Sequence, residues 1–144
     1  MTEEISFLKI KENEAYYREL FGTIKENFHV LFCGSRDFYD NKPIFYILSL
    51  LPAAAIVGQG EATGADKLAK DCAQYKGFDV IGYPANWTAF GRYAGPKRNR
   101  FMLEHFNPAF VFAFFSSKVR SKGTSNMIHI AREANKLIYV YEPL

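Results

Sequence analysis

The chain has 144 residues, 49% of them hydrophobic and 23% charged, which predicts one globular domain large enough to bury a core. No apolar run is long enough to span a membrane, the first residues lack the basic region and apolar core typical of a signal peptide, and a net charge of +3 is too small for a nucleic-acid coat protein. Two cysteines without CxxC spacing and three scattered histidines predict a cytoplasmic protein without a metal site.

The first part of the chain contains a helical pattern followed by a buried strand. Residues 5–27 mix charged and apolar positions at helical spacing, which predicts an N-terminal helical extension over residues 1–27. Residues 28–33 then form a nearly continuous apolar run, typical of a strand in a parallel sheet that is covered on both faces. Residues 43–51 read as a helix with a proline near its start.

The remainder of the chain repeats this alternation of strand and helix. Further strands are predicted over residues 54–57, 78–81, 109–115 and 137–141, and further helices over residues 66–76, 96–105 and 125–135. Residues 28–144 are therefore predicted to form an α/β, Rossmann-like doubly wound domain. Its mainly parallel five-stranded sheet, in the order 3-2-1-4-5, would carry helices on both faces.

A ligand site is expected at the carboxyl ends of the strands, where this strand order reverses. Residues 34–37 and 116–124 would leave the two strands that flank this point, and both loops are rich in glycine, hydroxyl groups and positive charge. A third loop, residues 58–66, contains three glycines that fit either a turn around phosphate or a plain connection. Each loop alone is a weak signal.

The charge distribution strengthens this expectation. Residues 80–132 carry eight lysines and arginines and one acid, whereas the other 91 residues carry ten basic and fourteen acidic side chains. Arginine and lysine beside glycine and aromatic residues suggest a site for an anion, such as a phosphate attached to a flat ring. A solvated basic surface is the alternative.

Several short motifs occur together in one order along the chain. They are Gly34-Ser35-Arg36, Gly64-Ala65-Asp66, Trp87, Gly95-Pro96-Lys97-Arg98-Asn99 and Gly123-Thr124. In this order and spacing the chain resembles the YspA-like branch of the SLOG superfamily, which is named for DprA/Smf and the LOG phosphoribohydrolases. The resemblance implies a Rossmann-like fold that binds nucleotides or molecules derived from them, without a further cofactor.

The resemblance also implies which residues hold the ligand. The first loop would line the site, Arg98 and Asn99 would approach from the following helix, and Gly123 and Thr124 would hold phosphate. Taken together, the residues predicted to bind ligand are Gly34, Ser35, Arg36, Gly60, Gly64, Asp66, Trp87, Gly95, Arg98, Asn99, Gly123, Thr124 and Asn126.

Two positions depart from the pattern of the related enzymes. The LOG enzymes have a glutamate two positions after the Gly-Thr pair, and this chain has Asn126, which cannot accept a proton as a carboxylate can. The YspA-like branch usually has a Gly-Gly pair after its second strand, and this chain has Gly60-Glu61. The charge of Glu61 would lie near the phosphate or point away from it. No catalytic residue is assigned.

Two candidate residues have structural alternatives. Asp66 could act as a general base, but an aspartate near a helix start also caps the helix and favours its dipole. Trp87 could stack on a base or anchor its loop as a large apolar group.

Three functions remain open. The chain could sense or sequester a nucleotide signal, in a setting such as bacterial stress or phage–host conflict. It could instead cleave a nucleoside monophosphate, with Asp66 or Glu61 replacing the missing glutamate, or it could bind single-stranded nucleic acid as DprA does. A homodimer or higher homo-oligomer is also expected, with Met102, Phe106, Tyr16 and Tyr17 as a candidate apolar face.

Overall fold

The computed structural model describes residues 4–24 and 28–143 of the chain. All strands in this part run parallel in one sheet, in the order β1-β6-β5-β2-β3-β4. The strands are β1 (Glu4–Ser6), β2 (His29–Gly34), β3 (Ile56–Gln59), β4 (Asp79–Gly82), β5 (Phe110–Phe114) and β6 (Leu137–Tyr141).

Helices connect these strands. They are α1 (Phe7–Glu12), α2 (Glu14–Gly22), α3 (Lys42–Leu50), α4 (Ala65–Lys76), α5 (Trp87–Phe90), α6 (Ala94–Phe106) and α7 (Lys122–Glu133). A 3₁₀ turn, Gly91–Tyr93, joins α5 to α6, and the sequence pattern predicted neither it nor α5. None of the helices within the described ranges is long and apolar enough to cross a membrane.

The predicted fold class and strand order are confirmed, but the strand count is not. Strands β2 to β6 lie in the order β4-β3-β2-β5-β6, which is the predicted order 3-2-1-4-5. The prediction of five strands is wrong because β1 adds a sixth at the edge, where Glu4 pairs with Ile138 and Ser6 with Val140. The N-terminal segment therefore contributes a strand to the sheet as well as two helices.

The residues of β1 gave little local sign of a strand. It has only three residues, and the Ser6 hydroxyl accepts a hydrogen bond from the Lys9 backbone N–H at 3.2 Å, which caps α1. The side chain of Glu4 pairs with Arg120 and Arg132, more than a hundred positions away in sequence. The predicted boundary at residues 27 and 28 adjoins residues 25–27, which lie outside the described part of the chain.

Alternate side chains of the central strands build two cores. Val30 and Phe32 of β2 belong to the core beneath α1 to α4, whereas Leu31 and Cys33 belong to the core beneath α6 and α7. Because both faces of the sheet are covered at its centre, the central strands β2 and β5 are nearly continuous apolar runs, and every residue of β5 is buried. Helices thus cover both faces, as predicted.

Most of the aromatic residues have packing roles in the first core. The ring of Phe21 on α2 contacts Phe28, Phe110, Phe112 and Tyr139, with centroid distances of 5.2 to 6.2 Å. Phe21 is fully buried, so α2 is an integral part of this core. The high aromatic content therefore serves mainly the packing of one face.

The apolar face predicted for self-association is not present as expected. Met102 and Phe106 are each only 2% exposed, since both belong to the core beneath α6 and α7. Tyr17 is also buried, and of the four residues only Tyr16 is exposed. These residues cannot together supply an apolar surface for a second copy of the chain.

Candidate functional site

An open cleft of about 680 Å³ lies at the carboxyl ends of the parallel strands. It is lined by the loop after β2, the segment between β3 and α4, the α5–α6 segment and the start of α7. Strand β2 pairs with β3 on one side and with β5 on the other, so the cleft lies where the strand order reverses. The sequence predicted a ligand site at this edge of the sheet.

The structure brings most of the predicted ligand-binding residues to this cleft. Those that line it are Gly34, Arg36, Asp66, Trp87, Gly95, Arg98, Asn99, Gly123, Thr124 and Asn126. Ser35, Gly60 and Gly64 are not lining residues. Their contacts are made within and between the loops.

Two of the glycines are required by the packing of the loops. A Cβ atom at Gly34 would overlap the backbone oxygen of Phe114 and the side chain of Ala65. Gly64 has a φ of +76°, and a Cβ atom there would overlap the backbone of Ser35 and Arg36. These two glycines allow the close approach of neighbouring loops.

Ser35 joins the loops on both sides of the strand-order reversal. Its backbone N–H donates to Phe114 O at 2.9 Å, and its carbonyl accepts from Ala65 N at 3.1 Å. Its hydroxyl oxygen accepts from Ser116 N at 3.2 Å, and the residue is only 2% exposed. The contacts of Ser35 thus support the cleft from within the loops.

Arg98 connects two walls of the cleft through backbone carbonyls. Its Nη1 donates to Gly60 O and, at 3.2 Å, to Tyr83 O, while its Nε donates to Asn99 Oδ1 at 3.0 Å. Burial lowers the pKa of the Arg98 guanidinium, and the nearby Asp66 carboxylate opposes that effect. Arg98 therefore holds the loops after β3 and β4 against α6.

Asn99 continues this network to α7. Its Nδ2 donates to Gly123 O at 3.1 Å and to Asn126 Oδ1 at 3.0 Å, and the residue is 6% exposed. Among the described residues, no acceptor is bonded to Asn126 Nδ2, so Asn126 presents a donor where the LOG enzymes have a carboxylate. A donor at this point suits an anionic or carbonyl group of a ligand better than it suits proton abstraction.

Asp66 is a buried carboxyl group in the wall of the cleft. Its Oδ2 accepts from Gly60 N at 3.1 Å and Ala62 N at 3.3 Å, so it organises the loop that precedes α4. Burial raises the pKa of Asp66 to about 6, although Arg98, the two backbone N–H groups and Arg36 all lower it. These bonds reach the loop before α4, whereas the cap position of the helix is Gly64, so the structural role of Asp66 lies in the loop and differs from the helix cap that the sequence suggested.

The start of α7 offers backbone donors to the cleft. Ser121 precedes the helix, but its hydroxyl donates to Thr124 Oγ1 at 3.0 Å and caps no backbone N–H. Within the described residues, no side chain accepts from the first-turn N–H groups. Those groups and the adjacent Lys122 together form an environment that favours an anion.

Exposed basic and aromatic groups complete the rim. Arg36 lies over the indole ring of Trp87, 4.9 Å from its centroid, and Trp87 is 47% exposed. Arg92 lies over Tyr93 and donates to its hydroxyl at 3.1 Å. The Arg36–Trp87 pair combines a positive charge with a flat apolar surface at the mouth of the cleft.

Glu61 points away from the cleft. Its Oε2 accepts from Lys70 Nζ at 3.0 Å and its Oε1 from Gln59 Nε2 at 2.7 Å, and it is not a lining residue. It occupies a left-handed position, with φ of +57°, which glycine adopts without strain. The hydrogen bonds from Gln59 and Lys70 hold the pKa of Glu61 below its usual range. Of the two outcomes expected for this charge, the structure shows the outward one.

Several lining residues were absent from the predicted set. Arg92, Lys122, Asp37 and Met102 all line the cleft. The position of Lys122 at a helix start after a polar loop could have identified it, since such a position brings the charge beside free N–H groups. Arg92 is presented by the unpredicted 3₁₀ turn, so no pattern in the sequence indicated its direction.

Comparisons with known proteins agree with this architecture. A model of the YspA, cpYpsA-related SLOG family matches residues 28–90, which include β2, β3, β4 and α5. A search of curated proteins finds no significant match. The family match confirms the resemblance that the sequence motifs indicated.

A solved structure has a similar fold. DNA processing protein A (DprA) from Streptococcus pneumoniae matches with a TM-score of 0.62 and 18% sequence identity over 81% of this chain. The match covers 50% of the DprA chain, so this protein spans about half the length of that neighbour. At this identity the similarity shows a shared fold.

Proposed function

We propose that the cleft of this chain, which resembles the YspA-related branch of the SLOG superfamily over residues 28–90, binds a nucleotide or nucleotide-derived ligand, as a sensor or a sequestering protein. One observation carries the proposal. Arg36, Arg92 and Lys122 converge with the start of α7 and the exposed Trp87 on a single cleft of about 680 Å³. A phosphate and a flat base are the two chemical groups that this combination suits.

The proposed orientation follows from the two ends of the cleft. The phosphate would accept hydrogen bonds from the first turn of α7 and pair with Lys122, where Ser121 leaves the backbone donors uncapped. The base would lie against the exposed Trp87, beside the Arg36 guanidinium that lies over the indole ring. Asn126, which donates through Nδ2, would contact a polar group of the sugar or phosphate.

Binding without hydrolysis is favoured by the groups around Asn126. Cleavage of an N-glycosidic bond needs a carboxylate or comparable group beside the developing oxocarbenium ion. Asn126 is neutral and its carbonyl is already engaged by Asn99, while Glu61 is turned toward Lys70. Neither side chain supplies the missing glutamate.

One observation favours a second candidate, a nucleoside monophosphate N-glycosidase. Asp66 lines the cleft, and burial brings its pKa to about 6, close to the value of a useful general acid or base. Its Oδ2 is held by two backbone N–H groups, however, which fits a structural role equally well. A direct assay for products distinguishes the two candidates.

Mass spectrometry of ligand and products provides that assay. The protein is purified, denatured, and its released small molecules are identified; a second sample is incubated with the common nucleoside 5′-monophosphates. An intact nucleotide that co-purifies with the wild-type protein, and is lost from a Lys122→Ala variant but retained by Lys67→Ala, is the expected result. Lys67 is a suitable control because it is an exposed lysine on α4 that pairs with Asp71. Free base and ribose 5-phosphate at repeated turnover would instead establish the hydrolase.

A further inference from the structure

A second groove, of about 580 Å³, lies beside the cleft along α6. Pro96 and Arg98 line both cavities, so the groove and the cleft adjoin at the first turns of α6. No predicted ligand contact was assigned to the groove, apart from the shared Arg98. Because the two cavities share these lining residues, one ligand could contact both.

Helix α6 separates the two cavities along most of its length. Gly95, Asn99 and Met102 recur at helical spacing and line the cleft, whereas residues 97, 101 and 104 recur at the same spacing and line the groove. The short helix α5 divides in the same way, since Trp87 lines the cleft and Phe90 lines the groove. Each cavity therefore receives one aromatic side chain from α5.

The groove has aromatic surfaces that the core does not use. Phe90 is 46% exposed and Phe101 is 57% exposed, although nearly all other phenylalanines in the described part of the chain are buried or half-buried. Phe101 stacks against His105 at a centroid distance of 5.2 Å, which fixes the plane of the ring. Phe101 also meets the buried Tyr83 edge-on at 6.0 Å, yet more than half of its surface, and nearly half of that of Phe90, stays open to the groove.

The groove also carries an excess of positive charge. Lys97 Nζ lies 4.9 Å from the ring centroid of Phe90, and Arg100 and the shared Arg98 add two further cations. Of the described residues that line the groove, Glu104 is the one acid, and its contact with Arg100 is long, at 4.0 Å, between side chains that are mostly exposed. Such a pair contributes little and leaves Arg100 able to meet an anion.

We propose that the ligand contains at least two linked nucleotide units, of which the second places its base and phosphate in this groove. The inference rests on the proposed function, because the first unit occupies the cleft. Aromatic rings beside lysine and arginine are the surface on which successive bases stack while their phosphates are neutralised. The linking phosphate would pass over the N-terminal end of α6, near Pro96 and Lys97.

The test compares ligands of one and two units. Trp87 is the only tryptophan in the chain, so its fluorescence reports occupancy of the cleft. Wild-type protein is titrated with AMP, with the 5′-phosphorylated linear dinucleotide of adenosine, and with diadenosine pyrophosphate, which separates a linear oligonucleotide from a pyrophosphate-linked ligand. The same titrations are made with Phe101→Ala and Lys97→Ala, and with Tyr75→Ala as a control that removes an exposed aromatic elsewhere, on α4.

The expected result is that one of the two dinucleotides binds about tenfold more tightly than AMP, since stacking of a second base contributes about that much. Phe101→Ala and Lys97→Ala should remove most of this gain and leave the affinity for AMP unchanged, whereas Tyr75→Ala should leave both affinities unchanged.

Equal affinity of the wild-type protein for AMP and both dinucleotides would overturn the inference and leave the proposed function standing. Failure of all three ligands to bind would overturn the inference, and it would overturn the proposed function as well if no nucleotide co-purifies with the protein. A Phe101→Ala variant that changes the sedimenting mass of the protein, without changing the gain for dinucleotides, would show that the groove contacts a second copy of the chain instead.

Discussion

Two groups of basic side chains in this protein differ in how their charge is balanced. In the edge cluster, Arg120 pairs with Glu4 and Glu142, and Arg132 pairs with Glu4, beside the edge strand β1. In the cleft cluster, which consists of Arg36, Arg92 and Lys122, no carboxylate of the described residues lies within ion-pair distance. A count of charges does not distinguish the two clusters. Their ion pairs do: the paired edge cluster has a structural role, and the unpaired cleft cluster can bind an anion.

The arginines associated with the two regions also differ in the direction of their pKa shifts. The hydrogen bond from Arg120 to Glu142 raises the pKa of Arg120 above its ordinary value. Burial lowers the pKa of Arg98, and it raises that of Asp66, because both groups lose contact with water in the cleft wall. The ion pairs at the edge stabilise the charged form of Arg120. Burial in the cleft wall instead destabilises the charged forms of Arg98 and Asp66, and this lowers the free energy of unfolding.

The largest expected effect is on stability, from Asp66→Asn. The pKa of Asp66 in the folded protein is about 6, above its ordinary value of 3.8, so full stability is present below pH 3.8 and is lost as the pH rises through about 6. An asparagine keeps an oxygen acceptor for Gly60 and Ala62 without the buried charge. We expect the variant to exceed wild type in free energy of unfolding by about 3 kcal/mol at pH 8 and by only about 0.5 kcal/mol at pH 4.

Urea unfolding of both proteins at several pH values measures this difference. Asp71→Asn, which changes an exposed acid on the same helix, should track wild type at every pH. If the advantage of Asp66→Asn is the same at pH 4 and pH 8, then burial of the charge does not govern the stability of the cleft wall.

The next largest effect is on affinity, from Arg36→Ala. Because Arg36 is exposed and forms no ion pair with a described residue, we expect stability to change by less than about 0.5 kcal/mol. A lost hydrogen bond between a guanidinium and a phosphate should weaken binding of the co-purified nucleotide by about tenfold to a hundredfold. Calorimetric titration tests this, with Arg18→Ala as the matched control. Arg18 is suitable because its partners, Glu14 and the Ser49 carbonyl, do not line the cleft. Unchanged affinity would place the anion elsewhere.

The smallest effect comes from the edge cluster. Arg120→Ala removes two partly exposed ion pairs and a contact with the Phe115 ring, so we expect a loss of about 1 kcal/mol in the free energy of unfolding. Nucleotide affinity should be unchanged, which is the reverse of the expectation for Arg36→Ala. A loss of affinity larger than the loss of stability would show that the two clusters are coupled through the loop before α7.

The fold was largely predictable because its strands are buried on both faces. Continuous apolar runs such as residues 28–33 identify central parallel strands, and this pattern does not depend on distant contacts. Strand β1 escaped prediction for the opposite reason, since Glu4 is fixed by β6 and by arginines far along the chain. The burial of Met102 and Phe106 depended likewise on which face of α6 meets the sheet.

The residues that meet at the site were predictable from the motifs, but their individual contacts were not. Gly34 and Gly64 were predicted to bind ligand, with a plain connection as the alternative for the loop of Gly64, and the structure shows both glycines where neighbouring loops touch. The outward direction of Glu61 depends on Lys70, nine positions later, which no local motif includes. Motifs thus located the cleft, while side-chain roles required the three-dimensional arrangement.

The hydrogen bonds of Arg98 have a consequence for the entropy of binding. Because one guanidinium joins Gly60, Tyr83 and Asn99, the loops that surround the cleft are ordered before a ligand arrives. A ligand then meets a preformed surface and loses little of its interaction energy to the ordering of the protein. Substitution of Arg98 would therefore weaken every ligand alike by releasing the loops, whereas Arg36 and Lys122 are positioned to discriminate one ligand from another.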